Sequence, residues 1–233
     1  MIRWICIASP WVKCLFDGIE YLKQDDEKVL IVDQRNFTAQ SGDVIMAPHT
    51  INERFLPNFD REGVTFYETE NLLCPTNPWL KTSARVRKLT QRPWWNYSAA
   101  NAAVYGDTAR PLQLRPVVAP AREKDIDVLF VGSASGRRAE VLRQLEDLRI
   151  VYITTQNPVF MPRLADFYSR SKILLNVHYY MPGVFESFRC VPAVSHGVTV
   201  VSETSIDEEG ADVCVTSTYD RLADTVRDTL SLL

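Results

Sequence analysis

"DVLFVGSASGRRAEVLRQLEDL", residues 127–148, is the stretch on which the fold turns. It reads as an apolar strand, a Gly/Ser loop and a helix within about twenty residues. The same alternation runs outward in both directions. Downstream come "RIVYITT", the helix "PRLADFYSRS", the strand "KILLNVHY", the helix around "FESFRCVPAVSHG", the strand "VTVVSE", then "DVCVTS" and the closing helix "YDRLADTVRDTLSLL". Upstream, "RWICIAS" precedes "PWVKCLFDGIEYLKQ", whose Trp11, Leu15, Phe16, Ile19 and Leu22 share one helical face, and then "KVLIVD", "DVIMAP" and "VTFYE". Near-continuous apolar strands separated by helices indicate parallel sheets covered on both faces.

Residues 87–120 break the rhythm, with a short helix from about Ser98 to Val104 flanked by Pro93, Pro111, Pro116 and Pro120. Such punctuation reads as a linker. The expected architecture is α/β, with two small Rossmann-like, doubly wound lobes facing across a cleft. Their expected bounds are 1–104 and 123–233, joined by a linker over 105–122. Ligands of open parallel sheets bind at the C-terminal strand ends, which would line that cleft.

Composition narrows the function classes. With 233 residues, 46% hydrophobic and 24% charged, the chain is an ordinary globular one, and its net charge of -3 argues against a dedicated nucleic-acid binder. The densest basic run, "KTSARVRKLTQR", holds Lys81, Arg85, Arg87, Lys88 and Arg92 and reads either as a solvated helix face or as a phosphate-contacting patch. The five cysteines lack CxxC spacing, and Cys6, Cys190 and Cys214 lie in apolar runs, so buried free thiols in a reducing cytoplasm are expected. No stretch has the length of a membrane span, and "MIRWICIASP" reads as a strand and not as a signal peptide.

Several motifs carry candidate chemistry. Gly132, Ser133, Ser135 and Gly136 lie between a strand and a helix, where small residues let a phosphate approach free N–H groups. Arg137 and Arg138 would pair with a diphosphate, or else stand solvated beside a tight turn. The loop lacks GxGxxG spacing and Gly-Lys-Ser/Thr, which argues against an NAD enzyme or a Walker ATPase. "DID" at Asp125–Asp127 precedes its strand, at the wrong end for a metal site, and the three histidines show no ligand spacing, so no metal is expected.

"NVHYYMPGVFESFRCVPAVSHGVTVVSET", residues 176–204, gathers charges at the ends of buried elements. Glu186 and Arg189, spaced i, i+3, share a helical face. They form either a simple intrahelical pair or a functional one, with Glu186 on sugar hydroxyls and Arg189 on a leaving diphosphate. His178, Tyr179 and Tyr180 would stack a base or sugar, or pack a strand end. In the first lobe Ser9, His49 and Thr50 follow strands one and three, and His49 is the only imidazole there, hence a candidate base for an acceptor hydroxyl.

In this order of motifs the second lobe resembles the GT-B glycosyltransferases. "WNYSAAN" with "DVLFVGSASGRRAEVLRQL", then "YSRSKILLNVHYY", "FESFR" and "GVTVVSE", resemble CgeB-like and family 1-like glycosyltransferase C-terminal domains. The resemblance implies a metal-independent transferase that uses a nucleotide-diphosphate sugar, such as a UDP-sugar, as donor substrate and no cofactor. Gly132, Ser133, Arg137 and Arg138 would meet the diphosphate, His178, Tyr179, Glu186 and Arg189 the nucleotide sugar, and Ser202 with Glu203 would close the pocket. The acceptor would sit on the N-terminal side. Two departures are legible. The paired glutamates usual in retaining members are replaced by Val184 and Pro192, and the C-terminal helices that usually cross back are short here. The latter points to a completing partner chain or a binding module as the alternative to an enzyme, and a DNA-base acceptor is the narrower alternative.

Overall fold

The computed structural model describes residues 2–8, 17–118, 122–207 and 212–233. The chain forms two compact units, Met1–Leu112 and Gln113–Leu233. Each is built on one all-parallel sheet.

The first unit carries β1 (Arg3–Ile7), β2 (Lys28–Val32), β3 (Asp43–Met46), β4 (Thr65–Glu68), β5 (Trp94–Asn96) and β6 (Thr108–Ala109), in the order β2-β1-β3-β4-β5-β6. β1 supplies four buried residues in a row, as a strand covered on both faces must. It pairs Trp4 with Val29 on one side and Val44 on the other. Helices α1 (Leu80–Leu89) and α2 (Ala99–Tyr105) lie in the connections, and Ile5, Ile45, Phe59, Phe66, Val86 and Trp94 join one core cluster. The face predicted for residues 11–22 lies partly outside the described residues; its Ile19 and Leu22 are buried.

The expected linker is shorter than its punctuation suggested. Trp94–Asn96 and Thr108–Ala109 extend the first sheet as its fifth and sixth strands, and Gly106 ends α2 in the left-handed conformation. Strands of three and two residues are too short to show periodicity, so prolines dominated the reading. In the basic run Lys81, Arg85 and Lys88 are exposed, as a solvated face has them, while Arg87 and Arg92 are half-buried. Arg87 stacks 3.8 Å from the centre of Trp94 and pairs with Asp107 at 2.6 and 2.8 Å, while Arg85 pairs with Glu53 and Arg92 with Asp60.

The second unit carries β7 (Ile126–Val131), β8 (Ile150–Ile153), β9 (Ser171–Asn176), β10 (Thr199–Glu203) and β11 (Val215–Ser217), in the order β11-β10-β9-β7-β8. Helices α3 (Arg137–Arg143), α4 (Arg163–Arg170), α5 (Ser187–Ser195) and α6 (Leu222–Leu232) alternate with them. Phe130, Leu142, Leu145, Leu175, Val201, Leu222 and Val226 belong to its core. Because β8 lies on one side of β7 and β9 on the other, the winding reverses between β7 and β9. That switch point is where open α/β sheets bind ligands. At the opposite end, Asp125 and Asp127 are held by Arg170 and Lys172 at 2.6 Å each. No described helix is long and apolar enough to cross a membrane. Cys6 and Cys190 are buried free thiols, as their apolar runs predicted, and Cys214 is partly exposed.

Candidate functional site

The second unit's charged side chains converge on its switch point. Gly132 follows β7 with φ +135°, and a Cβ there would stand 3.0 Å from Arg138 Nη1 and 3.1 Å from Arg189 Nη2. Glycine thus lets two guanidinium groups reach the backbone after β7. Arg138, 3% exposed, lies in the first turn of α3 and donates from Nε to the Val177 carbonyl at 2.7 Å. Its Nη2 donates to both Glu186 oxygens at 2.9 and 3.2 Å. Glu186 sits at the N-cap of α5 and is ion-paired with Arg189, whose Nη1 also donates to Asn176 Oδ1 at 2.6 Å.

These contacts set the protonation states. Burial alone would raise the Glu186 carboxyl, but the charges of Arg189 and then Arg138 outweigh it and hold it well below the usual carboxylate range. Arg138 is lowered to about 10, chiefly by burial and then by the neighbouring Arg189, with Glu186 opposing. It stays charged at neutral pH.

His178, 1% exposed, is fixed from several sides. Its backbone N–H donates to Glu203 Oε2 at 3.0 Å, and its Nε2 lies 3.3 Å from Ser205 Oγ. Gly183 packs so closely that a Cβ would fall 2.2 Å from the imidazole Cδ2. The ring's Nδ1 stands 3.7 Å from Glu186 Oε1 and lacks a hydrogen-bond partner, as does the buried Ser187 Oγ in the first turn of α5. Arg137 donates to Glu203 Oε1 at 2.6 Å and to the His178 carbonyl at 3.1 Å, beneath the Tyr219 ring. Three guanidiniums, two carboxylates, a helix N-terminus and two unpartnered buried polar atoms thus meet at this edge.

The first unit holds a second buried cluster at its strand ends. Ala47, following β3, is the one described non-glycine residue with positive φ (49°), and the turn Pro48–Thr50 carries His49 inward. His49 Nδ1 lies 3.2 Å from Glu68 Oε1 at the end of β4, its Nε2 3.6 Å from Glu70 Oε1, and its ring packs on Trp79. Glu68 is fully buried. It accepts from the backbone of Thr69 and Glu70 and from the Ser83 hydroxyl, with Arg87 at 4.0 Å.

Burial would lower the His49 pKa, but its hydrogen bond to Glu68 and the charges of Glu68 and Glu70 raise it above the ordinary 6.5. Burial likewise works to raise Glu68, and His49, Ser83 and Arg87 together bring it below 4.5. With Nδ1 held by Glu68, Nε2 is the proton-accepting nitrogen.

Of the residues singled out from the sequence, Gly132, Arg138, His178, Glu186 and Arg189 are brought together, with Arg137 and Glu203 adjacent. The alternative of two solvated arginines is overturned, because both are ion-paired within the fold. Ser202 lies buried beneath, donating to the Glu203 carbonyl and accepting from Asn176. Ser133 meets Ser135 at 3.0 Å, and Tyr179 is exposed, with the Arg138 guanidinium 5.2 Å from its ring centre. Thr50 turns its hydroxyl back to the Ala47 carbonyl at 2.8 Å. Ser9 lies outside the described residues.

Sequence reasoning missed Asn176, Ser187, Glu68 and Ser83. The available signals were a polar residue ending the apolar β9 and an acid ending β4 beside the strand that leads to His49.

Two all-parallel α/β units in one chain define a two-unit Rossmann-like fold. The chain is similar over its full length to the crystal structure of AviGT4, a glycosyltransferase involved in avilamycin A biosynthesis, with a TM-score of 0.58, 14% identity and 88% of that chain covered. It is also 31% identical over 114 residues to the uncharacterised protein L140 of Acanthamoeba polyphaga mimivirus, a match covering 46% of this chain and 38% of the viral protein. The likeness therefore spans well under half of that protein's length. No protein-family model matches the chain.

Proposed function

We propose that the protein is a glycosyltransferase that takes its sugar from a nucleotide-diphosphate donor held by the second unit, without a metal. The observation that carries this reading is the meeting of Arg138 and Arg189 at Gly132, on the switch point between β7 and β9. In transfer, the bond from the sugar's anomeric carbon to the diphosphate breaks and the acceptor oxygen bonds that carbon. The departing diphosphate gains negative charge, which prepositioned guanidiniums and the α5 N-terminus stabilise most. His49 Nε2, in the first unit, takes the acceptor's proton, and Glu68 holds the imidazole in the tautomer that can do so.

Titration calorimetry with UDP, GDP and their sugar conjugates tests the reading, together with donor turnover. Binding that falls at least about ten-fold in Arg189→Ala supports it. Absence of binding to every nucleotide diphosphate would overturn it.

A second reading, a nucleotide-sugar binding module completed by another chain, is favoured by one observation. Glu186 is engaged by Arg138 and Arg189, and Pro192 stands inside α5 at the position of the second glutamate of retaining members. Tight UDP binding with no turnover unless a partner is added would select it.

A further inference from the structure

The first unit has a cleft apart from the two charged clusters described above. It encloses about 310 Å³ at the C-terminal ends of β1 and β2, where Asp33, Gln34 and Arg35 face Asn52, Arg54 and Phe55 from the turn after β3. The sheet order β2-β1-β3 sets it beside this unit's own switch point. That is the edge at which a parallel sheet presents ligand-binding loops.

Its walls are tied together. Gln34 Oε1 accepts from the Asn52 backbone at 2.8 Å, and Asn52 Oδ1 accepts from the Arg54 backbone at 3.2 Å. Phe55 packs on the core beneath. Arg35 Nε lies 3.0 Å from each Asp33 oxygen, and this partner holds the carboxyl down at about 2, so it is ionised at neutral pH. Arg54 lies 4.5 Å over the Phe55 ring, and no carboxylate of the described residues pairs with it. Two guanidiniums against one carboxylate leave an excess positive charge. Asp33 also accepts from the Arg35 backbone N–H at 2.9 Å and from Arg35 Nη2, which leaves it about one lone-pair site for a hydroxyl donor, and the Gln34 amide keeps its N–H groups.

We propose that this cleft binds a phosphorylated sugar ring, with Asp33 and Gln34 on ring hydroxyls and Arg54 and Arg35 on the phosphate. A carboxylate and an amide suit vicinal hydroxyls, guanidinium forks suit phosphate, and the volume admits one ring with its phosphate. The ligand's part as sugar acceptor rests on the glycosyltransferase reading; the site itself does not. Its phosphorylated ring comes either from a free sugar phosphate or from the ribose phosphate of a nucleotide.

Calorimetry on the full chain tests this with glucose 6-phosphate, glucose, inorganic phosphate and AMP, with UDP run in parallel. Glucose 6-phosphate or AMP should bind at least about ten-fold tighter than glucose or phosphate alone, and the tighter of the two names the source. Arg54→Ala and Asp33→Asn should each weaken that binding about ten-fold and leave UDP untouched, while Arg189→Ala should do the reverse. These side chains are at the surface, and a thermal melt of each variant verifies its fold. Binding that survives both Arg54→Ala and Asp33→Asn, or that only Arg189→Ala removes, overturns the proposal, as does no binding of either phosphorylated ring. Binding of the phosphorylated ring without binding of UDP would leave the site standing and remove the donor reading.

Discussion

The two units bury charge at the same topological place and with opposite sign. In the first, Glu68, Glu70 and Asp107 surround His49 and Arg87 at the ends of β3 and β4. In the second, Arg137, Arg138 and Arg189 surround Glu186 and Glu203 at the ends of β7, β9 and β10. An acidic shell sustains the basicity of a buried imidazole, while a basic shell keeps a carboxylate ionised and leaves guanidiniums for an anion. One architecture thus carries an acidic shell around an imidazole in one unit and a basic shell around carboxylates in the other.

The sharpest way to break this contrast is to remove the central group of each cluster. Glu68→Ala should destabilise the first unit most, by about 3–5 kcal/mol, because it leaves His49, the Ser83 hydroxyl and two backbone N–H groups without their acceptor. Urea unfolding measures it, and a loss below about 1 kcal/mol would show that the cluster relaxes or admits water.

Glu186→Ala should cost less, about 2–3 kcal/mol, since its carboxylate is partly exposed but Arg138 loses its counter-charge. The same variant should bind UDP more tightly if Glu186 is an internal counter-ion, and bind a UDP-sugar more weakly if it also holds sugar hydroxyls. Gly132→Ala comes next, at about 1–3 kcal/mol from the imposed positive φ, with UDP binding lost as the new methyl displaces both guanidiniums. A binding isotherm equal to wild type would sever the glycine from the anion site.

The smallest effect is a pH dependence. The folded His49 pKa is raised, so its contribution is full below the ordinary 6.5 and fades as pH climbs through the folded value. The folded Glu68 pKa is lowered, so its contribution is full above the ordinary 4.5 and fades as pH falls through the folded value. The melting-temperature difference between wild type and His49→Asn should therefore be largest between those limits. A difference flat from pH 4 to 9 would contradict an ionised pair.

Much of the fold was legible because apolar strands covered on both faces announce themselves as runs, as "RWICI" and "KILLN" do. β5 and β6 were not, because three and two residues beside prolines carry no period. In the second unit, the i, i+3 spacing of Glu186 and Arg189 exposed half of the site. Their partner Arg138 comes from the first turn of α3, 48 residues before Glu186, and only the pairing of β7 with β9 joins them. Glu68 was invisible for the same reason: an acid at a strand end looks solvated until the neighbouring strand brings an imidazole over it.

Ala47 has a consequence for how this chain tolerates change. A side chain held at φ 49° makes it an unusual alanine, one for which glycine is the easy exchange and valine or isoleucine the excluded one. A saturation library at this buried position would therefore rank residues by their freedom to turn left-handed as well as by size. Survivors of that library would differ chiefly in how firmly they aim the imidazole two residues further along the chain.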